Sequence, residues 1–242
     1  MNKVKSLIAD YKLLLDNVPA LVTLVFVTST IVMNLAAGKV IFNAGPVAVT
    51  GGFVISYLPF LCMDVTAKRF GARAAILLNI LSAVGNVLTV ILLSLIAAIP
   101  TKDPYTEFNY VFGSVWFIVF GSTVAFVVSG IVNSLLNAAV GKLFKNRTSV
   151  VEFFSRSFIS TFVGQAVDNF LFLFIVYVIF APIYWGTSLP VYQCIGTAIL
   201  GGLLELVGEM VFAPWSYRIV KRWEKDQIGQ AYIDAHSSER AA

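Results

Sequence analysis

The chain has 242 residues, of which 58% are apolar and 12% charged, with a net charge of +4 and a mean hydropathy of +0.85. Soluble domains carry about a quarter charged residues, so this composition excludes an ordinary soluble enzyme and describes an integral membrane protein. Its basic residues sit in short segments between hydrophobic runs, where they read as topology signals and exclude a nucleic-acid footprint.

Residues 1–17 are predicted to form an amphipathic helix on the membrane surface. Val4, Leu7, Ile8, Tyr11, Leu14 and Leu15 recur at helical spacing between Lys3, Lys5, Asp10, Lys12 and Asp16. This polar start is too long for the n-region of a signal peptide, so no cleavable leader is expected. A transmembrane domain over 18–217 follows. Its first span runs from Pro19 to Ala37 and its second from Pro46 to Met63, the latter interrupted by Gly51, Gly52 and Pro59. The third covers Ala72–Ile99, the fourth Val115–Val140, the fifth Ser157–Ala181 and the sixth Leu189–Pro214. Each approaches or exceeds the roughly 20 apolar residues that cross a bilayer as a helix. A polar tail over 218–242 is expected to end in disorder.

Lysine and arginine set the orientation. All of them except Lys39 and Lys102 fall before span one, between spans two and three or, as Arg73, at the edge of span three there, between four and five, or after span six. Retained cytoplasmic loops carry that excess, so six spans with both termini in the cytoplasm are expected. A faint echo links spans four and five: Ser122, Val128, Val132 and Leu136 recur at one fixed offset as Ser157, Val163, Val167 and Leu171, with Asn133 under Asp168.

The fifth span carries the polar residues that matter most. Thr161, Gln165, Asp168, Asn169 and Phe172 fall on one helical stripe. An uncompensated Asp at bilayer depth costs about 3 kcal/mol even on the insertion scale, so Asp168 is expected to face a protein interior or a watery cavity. Thr161 and Asn169 are equally explained as hydrogen-bonding glue between helices. In the sixth span Glu205 and Glu209 are one turn apart and could hold a proton between them, although Glu209 could also pair with a cation at the membrane edge. Asp64 closes span two just before Lys68 and Arg69, where it could be no more than a paired end charge. Asn34 and Lys39 at the end of span one could line an outer vestibule, although Lys39 could also merely snorkel.

Other chemistries lack their residues. The one histidine, His236, lies in the tail, and Cys62 and Cys194 sit in apolar runs, so no metal centre or disulfide framework is expected. No G-x-x-x-x-G-K-[ST] loop and no G-x-S-x-G elbow occurs, so neither ATP hydrolysis nor hydrolase catalysis is expected, and no cofactor is implied.

Several segments, in order, resemble one family. They are Asn34 to Lys39, the Gly51-Gly52 pair, Tyr57-Leu58-Pro59-Phe60 running into Asp64, then Gly71, Arg73, Arg156, Ser160, Gln165-Ala-Val-Asp168 and Glu209-Met-Val-Phe-Ala-Pro214. With these the chain resembles the queuosine precursor transporters, also called vitamin uptake transporters. The resemblance implies an all-α fold of six transmembrane helices like the substrate-binding component of energy-coupling-factor importers. It also implies a heterocyclic cargo: 7-cyano- or 7-aminomethyl-7-deazaguanine, or queuine. Asp168 and Gln165 would meet the base's pairing edge, with Tyr57, Phe60 and Phe172 as aromatic wall and Asn34, Asp64, Asn169, Glu205 and Glu209 as further polar groups. A substrate-binding module working with a separate ATPase is the alternative, although the small-residue docking stripe expected on span one is not evident. A homodimer is left open. The chain departs from the family pattern at Arg69-Phe70-Gly71, at Ser129-Gly130-Ile-Val-Asn133 and at Glu205, where a lysine is expected.

Overall fold

The computed structural model describes residues 2–100, 106–143 and 150–236, with some helical side chains in these ranges left undescribed. In chain order it has α1 (Asn2–Asn17), α2 (Ala20–Ala36), strands β1 (Val40–Ala44) and β2 (Val47–Thr50), α3 (Gly51–Ile55), α4 (Tyr57–Phe70) and α5 (Ala72–Ala97). There follow α6 (Thr106–Phe112), α7 (Val115–Leu143), α8 (Val150–Leu173), a π-helical segment (Phe174–Phe180), α9 (Ala181–Tyr184), α10 (Val191–Lys225) and α11 (Gln230–Ala235). Among the described residues four stretches are helical, long and apolar enough to cross a membrane: Ala72–Ala97, Glu107–Val132, Thr161–Tyr184 and Val191–Lys225. Leu7–Asn17 and Ala20–Ala36, bent by 109° at Pro19, make a fifth if counted as one broken span. This is a multi-pass, largely helical membrane protein.

The expected second span differs in its first half. Residues 40–50 form an antiparallel hairpin, with Phe42 opposite Val49 and Ala44 opposite Val47, and helix resumes only at Gly51. The cause is local. Gly45 takes φ 56°, the left-handed position that a two-residue hairpin loop demands, and Pro46 completes the loop between β-branched runs. Pro46 therefore ends a turn where the sequence reading has it open a helix. The expected fifth span is also not uniform, since after Leu173 it winds as a π-helix.

The chain divides into two compact units. Unit 1 comprises 1–33, 54–86 and 209–242; unit 2 comprises 34–53 and 87–208. In unit 1 the core gathers Leu14 of α1 and Val18 just after it, Val65 and Phe70 of α4, Ala74 and Leu77 of α5, Val220 and Trp223 of α10, and Tyr232 of α11. The tail thus contributes a wholly buried tyrosine. In unit 2 the core gathers Phe117 and Ile118 of α7, Leu173, Val176 and Tyr177, and Cys194 of α10, with Ala37 and Ala48.

Within unit 2, α7 and α8 pack antiparallel along their length. Phe117 stacks on Phe180 at 5.5 Å between ring centroids, and a Cβ on Gly121 would stand 2.9 Å from Val176. The hairpin is tied to the start of α10. Gln193 Nε2 donates to Asn43 Oδ1 and to the Gly45 carbonyl, both at 2.8 Å, and the Ala48 amide donates to Thr197 Oγ1 at 2.7 Å. Tyr177 donates its hydroxyl proton to the Ala37 carbonyl, which holds the end of α2 against the π segment.

Candidate functional site

The polar stripe read from the fifth span lies on α8 in unit 2. Ser129 Oγ of α7 donates to Asp168 Oδ1 at 2.8 Å. The same hydroxyl oxygen lies 3.1 Å from the Phe126 carbonyl, but it has one proton, and the carboxylate is nearer and the stronger acceptor. The next residue turns to a different helix: Asn169 Nδ2 lies 3.3 Å from Glu205 Oε1 of α10. Room for that amide comes from Gly201, one turn before Glu205, where a Cβ would stand 2.8 Å from Asn169 Nδ2. Glu205 is buried, with 7% of its surface exposed.

Two carboxylates from two helices are therefore each met by a neighbouring helix, Asp168 of α8 by Ser129 of α7 and Glu205 of α10 by Asn169 of α8. Each has an oxygen engaged by a neutral donor. Asp168 remains able to accept further N–H donors through its other oxygen. Gln165 and Phe172, one turn before and after on α8, are half-buried. Together they supply a side-chain amide and an aromatic ring on the same stripe. Asn34, also in unit 2, is buried near the end of α2.

The remaining candidates belong to unit 1. Asp64 pairs with Lys68 one turn on at 2.7 Å, a contact with both side chains more than 40% exposed, and Ser216 of α10 donates to the same oxygen. This is the paired end charge that the sequence leaves open for it. Tyr57 lies against Phe212 at 5.8 Å between centroids, and Phe60 is half-buried on the same helix. The side chain of Glu209 lies outside the described residues, as do those of Asn133, Arg156 and Ser160.

Ser129 is the site residue that sequence reasoning missed. It falls in the segment read only as a departure from the family pattern. The repeat alignment set Asn133, not Ser129, under Asp168. A neutral serine outside the repeat register carries no signal in the sequence that singles it out.

These observations define a multi-pass helical membrane protein with acidic and amide groups held between its apolar helices. Within that class, residues 50–219 match the family model described as "Putative vitamin uptake transporter", and the chain belongs to that family. Its membership is in a family of transporters. No curated protein and no solved structure matches the chain.

Proposed function

We propose that the protein imports a queuosine precursor, a 7-deazaguanine base, and binds it at the α8 stripe with Asp168 as the central acceptor. The observation that carries this reading is the Ser129–Asp168 contact, in a chain of a transporter family. A deazaguanine presents adjacent N–H donors that a carboxylate accepts side by side, and a carbonyl that the Gln165 amide can meet. A carboxylate fixed through one oxygen is already oriented for that task, which lowers the ordering cost of binding. Phe172 offers a face for the flat ring, and Asn169, Glu205 and Asn34 stand as secondary groups. Asp64, engaged by Lys68 and Ser216, is placed outside the binding set in this reading, with Tyr57, Phe60 and Glu209 as peripheral candidates.

Six crossings in a bacterial inner membrane, with the fold of an energy-coupling-factor binding component, remain the proposed architecture. Supporting it, α1 and α11 pack together, since Asp10 meets His236, and two terminal helices on one aqueous face require an even number of crossings. The 17-residue α2 and the broken α3–α4 segment are the proposed additions to the four long spans.

The test is a thermal-shift titration of purified protein with 7-cyano-7-deazaguanine, 7-aminomethyl-7-deazaguanine, queuine and guanine, followed by uptake into proteoliposomes without any ATPase. A ligand bound only by the native state stabilises by RT ln(1 + [L]/Kd). Saturable stabilisation by one deazaguanine, lost in Asp168→Asn, is expected. No response from monodisperse protein to any of the four bases would sink the assignment.

A further inference from the structure

The C-terminal segment of unit 1 is folded back onto the start of the chain. After α10 ends, Gln227 at φ 52° and Gly229 at φ 73° reverse the direction into α11. Arg69 of α4 holds this turn, with Nε donating to the Ile228 carbonyl at 3.0 Å and Nη2 reaching Gln230 Oε1 at 3.3 Å. Tyr232 is wholly buried and meets Phe70 edge-on at 6.2 Å.

His236, the one histidine of the chain, caps α11. Its ring stacks on Tyr232 at 4.3 Å. Nδ1 lies 2.9 Å from the Tyr232 carbonyl oxygen, and Nε2 lies 2.7 Å from Asp10 Oδ1 of α1. The other oxygen of Asp10, a carboxylate with 7% of its side chain exposed, is in an ion pair with Arg73 of α5. Both imidazole nitrogens thus face acceptors. A neutral imidazole carries one N–H and would turn a lone pair toward the second oxygen, whereas the imidazolium donates to both.

We propose that His236 is a proton-operated clasp, which when charged locks α11 and the preceding turn onto α1 and α5, and when neutral lets them go. The charged and titratable groups facing it are Asp10 from α1, Arg73 from α5 through that carboxylate, and Tyr232 from α11. Asp234 of α11 is engaged by Gln230, and Tyr11 of α1 by the Leu77 carbonyl. The charged imidazole satisfies both acceptors at once, whereas the neutral ring satisfies only one of them.

The experiment places spin labels at Leu7→Cys on α1 and Ala231→Cys on α11, both exposed positions, and reads the distance distribution of the full chain between about pH 5 and about pH 8, a range that spans histidine titration. The native Cys62 and Cys194 are buried. One short distance is expected at the acid end, with a longer population growing toward the alkaline end. His236→Gln, which donates once and does not titrate, is expected to give a single distribution throughout. Asp10→Asn is the second variant and is expected to lose the pH response as well. A native distribution that does not change with pH, or a pH response that survives in either monodisperse variant, overturns the proposal.

Discussion

Ser129 on α7 and Asp168 on α8 are joined by a 2.8 Å hydrogen bond, so the one aspartate in the fifth span is held by a neutral donor from the neighbouring helix. A hydrogen bond to a charged acceptor contributes about 1.5–3 kcal/mol. Ser129→Ala is expected to weaken deazaguanine binding about tenfold or more, at 1.4 kcal/mol per decade. Ser129→Thr, which keeps the hydroxyl, is expected to retain most of the affinity. Binding isotherms of the two variants, beside Asp168→Asn, check this. Equal affinities for Ser129→Ala and the native chain would separate the serine from the binding function.

Asn169 and Glu205 offer a sharper test through a third residue. A Cβ at Gly201 would stand 2.8 Å from Asn169 Nδ2, so Gly201→Ala must push the amide away from Glu205. Interhelical hydrogen bonds in membranes average about 0.6 kcal/mol, so the change in melting temperature is expected to be small. The diagnostic is non-additivity. Asn169→Ala is expected to destabilise the native chain but add nothing in the Gly201→Ala background, a double-mutant cycle read from thermal melts.

The hairpin reaches α10 at a position where no side chain fits. A Cβ at Gly196 would lie 2.1 Å from the Pro46 carbonyl oxygen, a backbone atom that cannot step aside alone. Gly196→Ala is expected to detach the hairpin, breaking the bonds from Gln193 and to Thr197, at a cost of about 3 kcal/mol. Hydrogen exchange over 40–50 should rise sharply in this variant, with exchange in α11 unchanged.

Tyr177 donates to the Ala37 carbonyl from a buried position, 2% exposed. Tyr177→Phe leaves that acceptor unsatisfied and is expected to cost about 1–3 kcal/mol in a denaturation midpoint. Ligand affinity should be preserved, because the hydroxyl holds the end of α2 and lies outside the proposed binding stripe.

Much of the framework was legible as runs of apolar residues. α2, α5, α7 and α10 begin within a few residues of the expected spans, because uninterrupted apolar helix in a bilayer leaves little freedom for other structure. The hairpin was lost because proline is equally at home opening a helix and completing a turn. The alternation of Val40, Phe42 and Val47, Val49 about Gly45-Pro46 was the better guide. Asp168 stood out through its cost in lipid, but its partner did not, because Ser129 is neutral and falls outside the repeat register. In the tail the polar average concealed Trp223, Ile228 and Tyr232, which return α11 to the core of unit 1.

The π-helical segment from Phe174 to Phe180 bears on how this chain is compared with its relatives. Its closing amide, on Ala181, donates to the Val176 carbonyl five residues back instead of four. A turn wound in this way accommodates one residue more than the α-helix on either side of it. In a relative whose span is α-helical throughout, Tyr177 and everything after it would be displaced by one place relative to Asp168. An ungapped alignment would then match the aspartate correctly and misplace every aromatic beyond it. A one-residue gap within 174–180 is where such an alignment should be opened, and substitution patterns gathered without it would blur two faces of the same helix.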